Sequence, residues 1–245
     1  SKLFKKGNCS SIDYDFSEKN LVILTGTEKT LIPYVGRIDK IRQKNEKDVV
    51  ANVSVHECGH AVAYMALTGM VPLQLKSKIA NSYAGGFTFP HQIHATKRSL
   101  LDKIKVFLAG GLAEELIFGK EHASTGRSND RERATALAIS YIRRYGFSEQ
   151  FQSVYNLDEE QYKMDNRVTD AAIEELMAAM VVDTERLMVQ YKALLIDLSR
   201  VLNKAGSLKA AQVHEIATRH GLEVTIEEEG HTHITNYDEV LGKLA

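Results

Sequence analysis

Residues 51–69 read ANVSVHECGHAVAYMALTG, and the reading of their centre, His56-Glu57-Cys58-Gly59-His60, decides the fold. Residues four apart on a helix share a face, so both imidazoles reach one metal ion while Glu57 sits at its edge. The flanks Val53, Val55, Ala61, Val62, Ala63, Met65, Ala66 and Leu67 are apolar, as in a helix buried on most sides. Two histidines and a glutamate are costly to bury unpaired there, and a zinc ion removes that cost by ligating them. Cys58 stands two positions from His56, faces away from the ligand pair and reads as a small core residue.

A catalytic zinc takes three protein ligands and leaves one position for water. The extension HExxHxxGxxH would supply the third, but Ala63 and Ala66 occupy its Gly and His positions. The remaining candidates are Glu114, Glu115, Asp130, His91, His94 and His122. A loop histidine is more often exposed than ligating. Spacing alone does not separate Glu114 or Glu115 from Asp130.

Outward from this helix, Gly69 and Pro72 end the pattern, and residues 73–79 alternate as a strand does. NSYAGGFTFP, residues 81–90, reads as a turn and a second strand. Such a hairpin could accept an extended substrate at its edge, with Gly85, Gly86 and Phe87 as candidate contacts. Residues 96–118 have helical spacing, and Gly110-Gly111 within them predicts tight helix contact or a kink. One of the adjacent acids Glu114 and Glu115 can face solvent, whereas the other falls among apolar neighbours. Ser128-Asn129-Asp130 looks like a helix start, with Asp130 as a possible cap, and that helix ends at Gly146. Residues 168–204 carry the longest amphipathic stripe, and a short helix is expected over 207–220.

The first fifty residues predict two short strands, 21–24 and 31–35, around Thr25-Gly26-Thr27, then a charged helical connector over 36–48. The expected division is therefore an N-terminal segment (1–50), a metal-site domain (51–220) and a C-terminal tail (221–245). GTEKT at 26–30 lacks the GxxxxGK[ST] spacing, so no ATP site is expected in this chain.

Thirty-one Lys+Arg against 32 Asp+Glu leave no basic footprint for nucleic acid. No apolar run is long enough to cross a bilayer, and the first residues lack a signal-peptide core. Two cysteines suggest no disulfide framework, so a reducing compartment, the cytoplasm or an organellar interior, is expected.

Five motifs in fixed order, VHECGHAV, AGGLAEELIFG, STGRSNDRERAT, YGFSEQF and VTDAAIEELM, resemble the peptidase domain of the FtsH family of membrane-anchored, ATP-dependent zinc metalloproteases. The resemblance covers about residues 50–215. It implies a mainly α (α+β) fold, a helical zinc-peptidase domain with a small β-hairpin near the site, and one Zn²⁺ per chain. It implies Asp130, the aspartate of the Asn-Asp pair, as the third ligand beside His56 and His60, with Glu57 as catalytic base. Glu114 or Glu115 is expected to orient a ligand imidazole. The family also implies a polypeptide substrate, a hexameric ring and an ATPase module in cis or in trans. Residues 1–50 do not resemble that module. A zinc-stabilised scaffold without activity, using the 168–204 helix as its interface, is the competing expectation.

Overall fold

The structure is a computed structural model that describes residues 11–15, 20–25, 28–33, 47–77, 87–88, 91–155, 165–226, 230–232 and 237–244. The chain divides into two units, residues 1–44 and 45–245. In the first, β1 (Ser11–Asp15), β2 (Asn20–Thr25) and β3 (Glu28–Pro33) form an antiparallel meander. The sequence had indicated β2 and β3 but not β1. Gly26, Thr27 and most of the expected connector, through residue 46, lie outside the described residues.

The second unit is mainly helical and built on two antiparallel-layered central helices, α1 (Lys47–Thr68) and α2 (Lys97–Phe118). From Glu57 to Met65 every residue of α1 is buried, so the apolar flanks of the histidine motif do pack on nearly all sides. The helix stops at Gly69, whose φ of 70° suits a residue without Cβ. Thr96 starts α2 through a capping box: Ser99 N donates to Thr96 Oγ1 at 3.1 Å, and Thr96 N donates to Ser99 Oγ at 2.8 Å.

Gly59 sets how closely these helices approach. A Cβ there would stand 2.6 Å from the Ala109 carbonyl oxygen and 2.6 Å from Ala113 Cβ. One of those atoms is helical backbone, so the clash can be relieved only by parting the helices. Gly59→Ala is expected to destabilise the chain by about 2 kcal/mol, although alanine is intrinsically the better helix former by about 1 kcal/mol. The check is the urea midpoint at unchanged slope.

Around this pair stand α3 (Ser128–Ile139), which runs into a wider π turn at Ser140–Arg144, then α4 (Asp170–Gln190), α5 (Lys192–Ala205) and α6 (Ala210–Arg219). The long stripe over 168–204 is thus two helices, broken at Tyr191 (φ −102°, ψ 23°). The break lets α4 pack on α2 while α5 packs on α1, which one straight rod could not do equally. Its buried apolar residues include Ile173, Met177, Met180, Leu194, Leu198 and Leu202.

Strands β4 (Gln74–Lys76) and β5 (Phe87–Thr88) pair antiparallel beside α1, as the expected hairpin requires. Gly85 and Gly86 lie outside the described residues. A third strand joins on the other side of β4: β7 (Ser207–Lys209), in the order β5-β4-β7. Residues 207–209 therefore extend the sheet, and the helix expected from Ser207 starts only at Ala210. The segment β6 (His91–Ile93) pairs parallel with β8 (Gly230–Thr232), and Tyr237–Gly242 forms a last short helix, α7. Thr225 exchanges backbone hydrogen bonds with Gly69 and Val71, so this part of the C-terminal segment is bonded to the end of α1. Among the described residues no helix is long and apolar enough to cross a membrane.

Candidate metal centre

One turn of α1 separates His56 from His60, and α3 brings Asp130 to meet them. His56 Nε2 and His60 Nε2 are 3.0 Å apart; Asp130 Oδ2 lies 3.1 Å from the first and 3.2 Å from the second. Three ligand-type atoms converge on one point from two helices. Among the described residues these three form the group that could hold a metal ion. His94 and His122 are exposed and outside it, and Asp130, in the first turn of α3, spends its carboxylate on the imidazoles rather than on a cap.

The opposite ring nitrogens decide the tautomers. His60 Nδ1 stands 2.7 Å from the Val106 carbonyl oxygen, which can only accept, so Nδ1 carries the proton and donates it. His56 Nδ1 donates to Glu114 Oε1 at 2.6 Å. Both Nε2 atoms consequently point into the triangle and, once His56 gives up its Nε2 proton, offer the donor set that zinc binds. Gly110 gives the rings their room: a Cβ on it would come within 2.6 Å of His60 Nε2 and 2.8 Å of His56 Nε2. Tight contact, rather than a kink, is the outcome of the paired glycines.

The adjacent acids separate as their helix positions dictate. Glu114 is fully buried and accepts from Asn52 Nδ2 at 3.0 Å, Ser124 N at 2.6 Å and Ser124 Oγ at 3.1 Å, besides His56. Burial pushes its carboxyl up, but the bonds from His56, Asn52 and Ser124 outweigh that and hold it below its ordinary value. Glu115 lies away from the imidazoles and pairs with Arg127. Burial disfavours a charged His56, yet Asp130 and Glu114 overcome it and raise its pKa to about 9. Asp130, also opposed by burial, is held well below the carboxylate range by His56 and His60. The centre is therefore rich in negative charge and suited to a cation.

Glu57 is 8% exposed beside His56, and its charge acts on that ring. Cys58 is buried in the core, as its position indicated, and burial pushes its thiol up. Phe87 belongs to β5, opposite Leu75. Sequence reading missed Asn52, Val106 and Ser124, which bond to Glu114 or His60, and Arg127, which pairs with Glu115; these contacts span ten or more residues, apart from any motif spacing.

The profile of peptidase family M41 matches residues 40–216. An ATP-dependent zinc metalloprotease FtsH from Lachnoclostridium phytofermentans is 34% identical over 187 residues, 71% of this chain and 30% of that protein. An FtsH from Syntrophobacter fumaroxidans is 36% identical over 140 residues, 55% of this chain and 20% of that protein. The mitochondrial inner membrane i-AAA protease supercomplex subunit YME1 of Saccharomyces cerevisiae is 28% identical over 165 residues, 66% of this chain and 22% of that protein. The chain thus spans less than a third of the length of each of these relatives. With a match that covers most of its helical unit, the chain belongs to peptidase family M41 and carries an FtsH-type peptidase domain.

Proposed function

We propose that this chain is the peptidase part of a zinc-dependent endopeptidase that hydrolyses unfolded or delivered polypeptides. His56 and His60 through Nε2, and Asp130 through Oδ2, would hold one zinc ion. Bound there, zinc supplies Lewis acidity, lowering the pKa of a water and polarising the scissile carbonyl. Glu57 takes the proton from the attacking water and returns it to the leaving amine. Glu114 holds the His56 ring by its other nitrogen, and the Val106 carbonyl does the same for His60. The observation that supports this reading best is the convergence of both Nε2 atoms and Asp130 Oδ2 within one 3.2 Å triangle, each ring being held from behind by its Nδ1. The FtsH resemblance adds a homo-hexamer fed by an ATPase module, in cis or in trans; the hairpin itself adds the β5 edge near Phe87 as the place where an extended substrate would pair.

The test is zinc content and casein cleavage by the purified chain. One zinc per chain with chelator-sensitive cleavage is expected. A folded sample that takes up no zinc would sink the reading, and a zinc-loaded sample that cuts no unfolded protein would favour the scaffold. Zinc also competes with the proton that His56 holds up to about 9. Apparent affinity should climb about tenfold per pH unit through the neutral range and level off above that pKa. Affinity independent of pH there would show that His56 gives up no proton on binding.

A further inference from the structure

Asp130 reaches the imidazoles, but nothing on its own helix holds its carboxylate: among the described residues its side-chain bonds run to His56 and His60. Its place is therefore set by how α3 begins. That entry is a short turn, Thr125–Arg127, and α2 holds it at both ends. Ser124 before the turn gives its N–H and hydroxyl to Glu114, and its Oγ accepts from Gly126 N at 3.3 Å. Arg127 at its end pairs with Glu115, both side chains being largely covered, at 24% and 18% exposure. Ser128 N then donates to Thr125 O, which joins the turn to α3.

The α2 sequence Gly110-Gly111-Leu112-Ala113-Glu114-Glu115 contains two overlapping Gly-x-x-x-Glu pairs. Positions four apart share a helix face, so each pair presents a small hollow with a carboxylate one turn beyond it. Gly110 and Glu114 receive the imidazoles. Gly111 and Glu115 receive Arg127: a Cβ on Gly111 would lie 2.8 Å from Arg127 Nε and 3.1 Å from its Cζ. The guanidinium thus lies against α2 at Gly111, where a Cβ would crowd it, with its charge met by Glu115.

We propose that Arg127 is a positioning residue for Asp130, its ion pair with Glu115 in the Gly111 hollow fixing where α3 starts and hence where the third ligand stands. This rests on the three-ligand zinc reading above. It also gives Glu115 a role different from the imidazole-orienting one expected from sequence.

The test measures zinc affinity by competition with a chromophoric chelator for the wild type, Arg127→Ala, Arg127→Lys, Glu115→Gln, the Arg127→Ala/Glu115→Gln double variant and Asp130→Ala. The thermal midpoint of each chelator-treated chain is the control for folding. Arg127→Ala and Glu115→Gln should each weaken zinc about tenfold, in line with the loss of a group that supports a ligand. The double variant should be no weaker than either single one, because both remove the same pair. Arg127→Lys should recover part of the loss. Midpoints should move by no more than about 4 °C, as for a partly exposed ion pair. Unchanged zinc affinity in Arg127→Ala, or losses that add in the double variant, would overturn the proposal. If Asp130→Ala keeps wild-type affinity, the three-ligand reading itself fails; if Asp130→Ala loses zinc while Arg127→Ala keeps it, only the positioning role does.

Discussion

Glu57→Gln should lose proteolysis by about 10²- to 10⁴-fold, the range for removing a general base, while still binding one zinc per chain. The substitution preserves size and polarity in a side chain that is only 8% exposed, so packing is unchanged. What changes is proton affinity, since an amide cannot take a proton from water at neutral pH. Glu57 is outside the group of three ligand-type side chains, so zinc should stay bound. Casein cleavage and zinc content measured on one preparation separate the two effects. A variant that cuts at the wild-type rate would remove Glu57 from the chemistry. A variant that lost zinc would place it among the ligands.

Glu114→Ala should cost both fold and metal. The carboxylate has no exposure and accepts from four donors on two segments: α1 through Asn52 and His56, and the 124 turn through the Ser124 backbone and hydroxyl. Removing one side of such a buried charged cluster typically costs about 3–5 kcal/mol, and loss of the His56 support about 10- to 100-fold in zinc affinity. Urea unfolding of the chelator-treated chain and chelator competition read the two separately. A variant as stable and as zinc-avid as wild type would show that the cluster holds nothing in place.

The sign of the pH dependence follows from the same groups. In the metal-free chain Glu114 and Asp130 titrate below their ordinary values, so their contribution is complete above pH 4.5 and 3.8 respectively and is lost on further acidification. His56 titrates above its ordinary value, so its contribution is complete below pH 6.5 and is lost as pH rises through about 9. Stability from this cluster is therefore fullest between about pH 4.5 and 6.5 and falls on either side.

Much of this arrangement was legible because it depends on near neighbours. The i, i+4 pair His56 and His60, the apolar flanks of α1, the Thr96 start of α2, and the turn after Gly69 all follow from rules that act within one or two helical turns. The features that were not legible have no local mark. Nothing at Tyr191 breaks a helix by propensity, and the stripe runs on through it; the break answers to α4 and α5 packing on different partners. Ser207–Lys209 has a length that fits a helix start equally well, and pairing with Gln74–Lys76, more than a hundred residues away, makes it a strand.

The candidate site divides in the same way. By itself the sequence determined that two imidazoles share a face with Glu57 beside them, since helical periodicity acts over four residues. The ordered motifs added Asp130 only through resemblance to a family. Which of two neighbouring acids turns toward His56, and which toward Arg127, was decided by the tertiary structure. Glu114 and Glu115 are chemically identical and adjacent, and about 100° of helix rotation between them has no meaning until His56 of α1 meets one position and Arg127 the other.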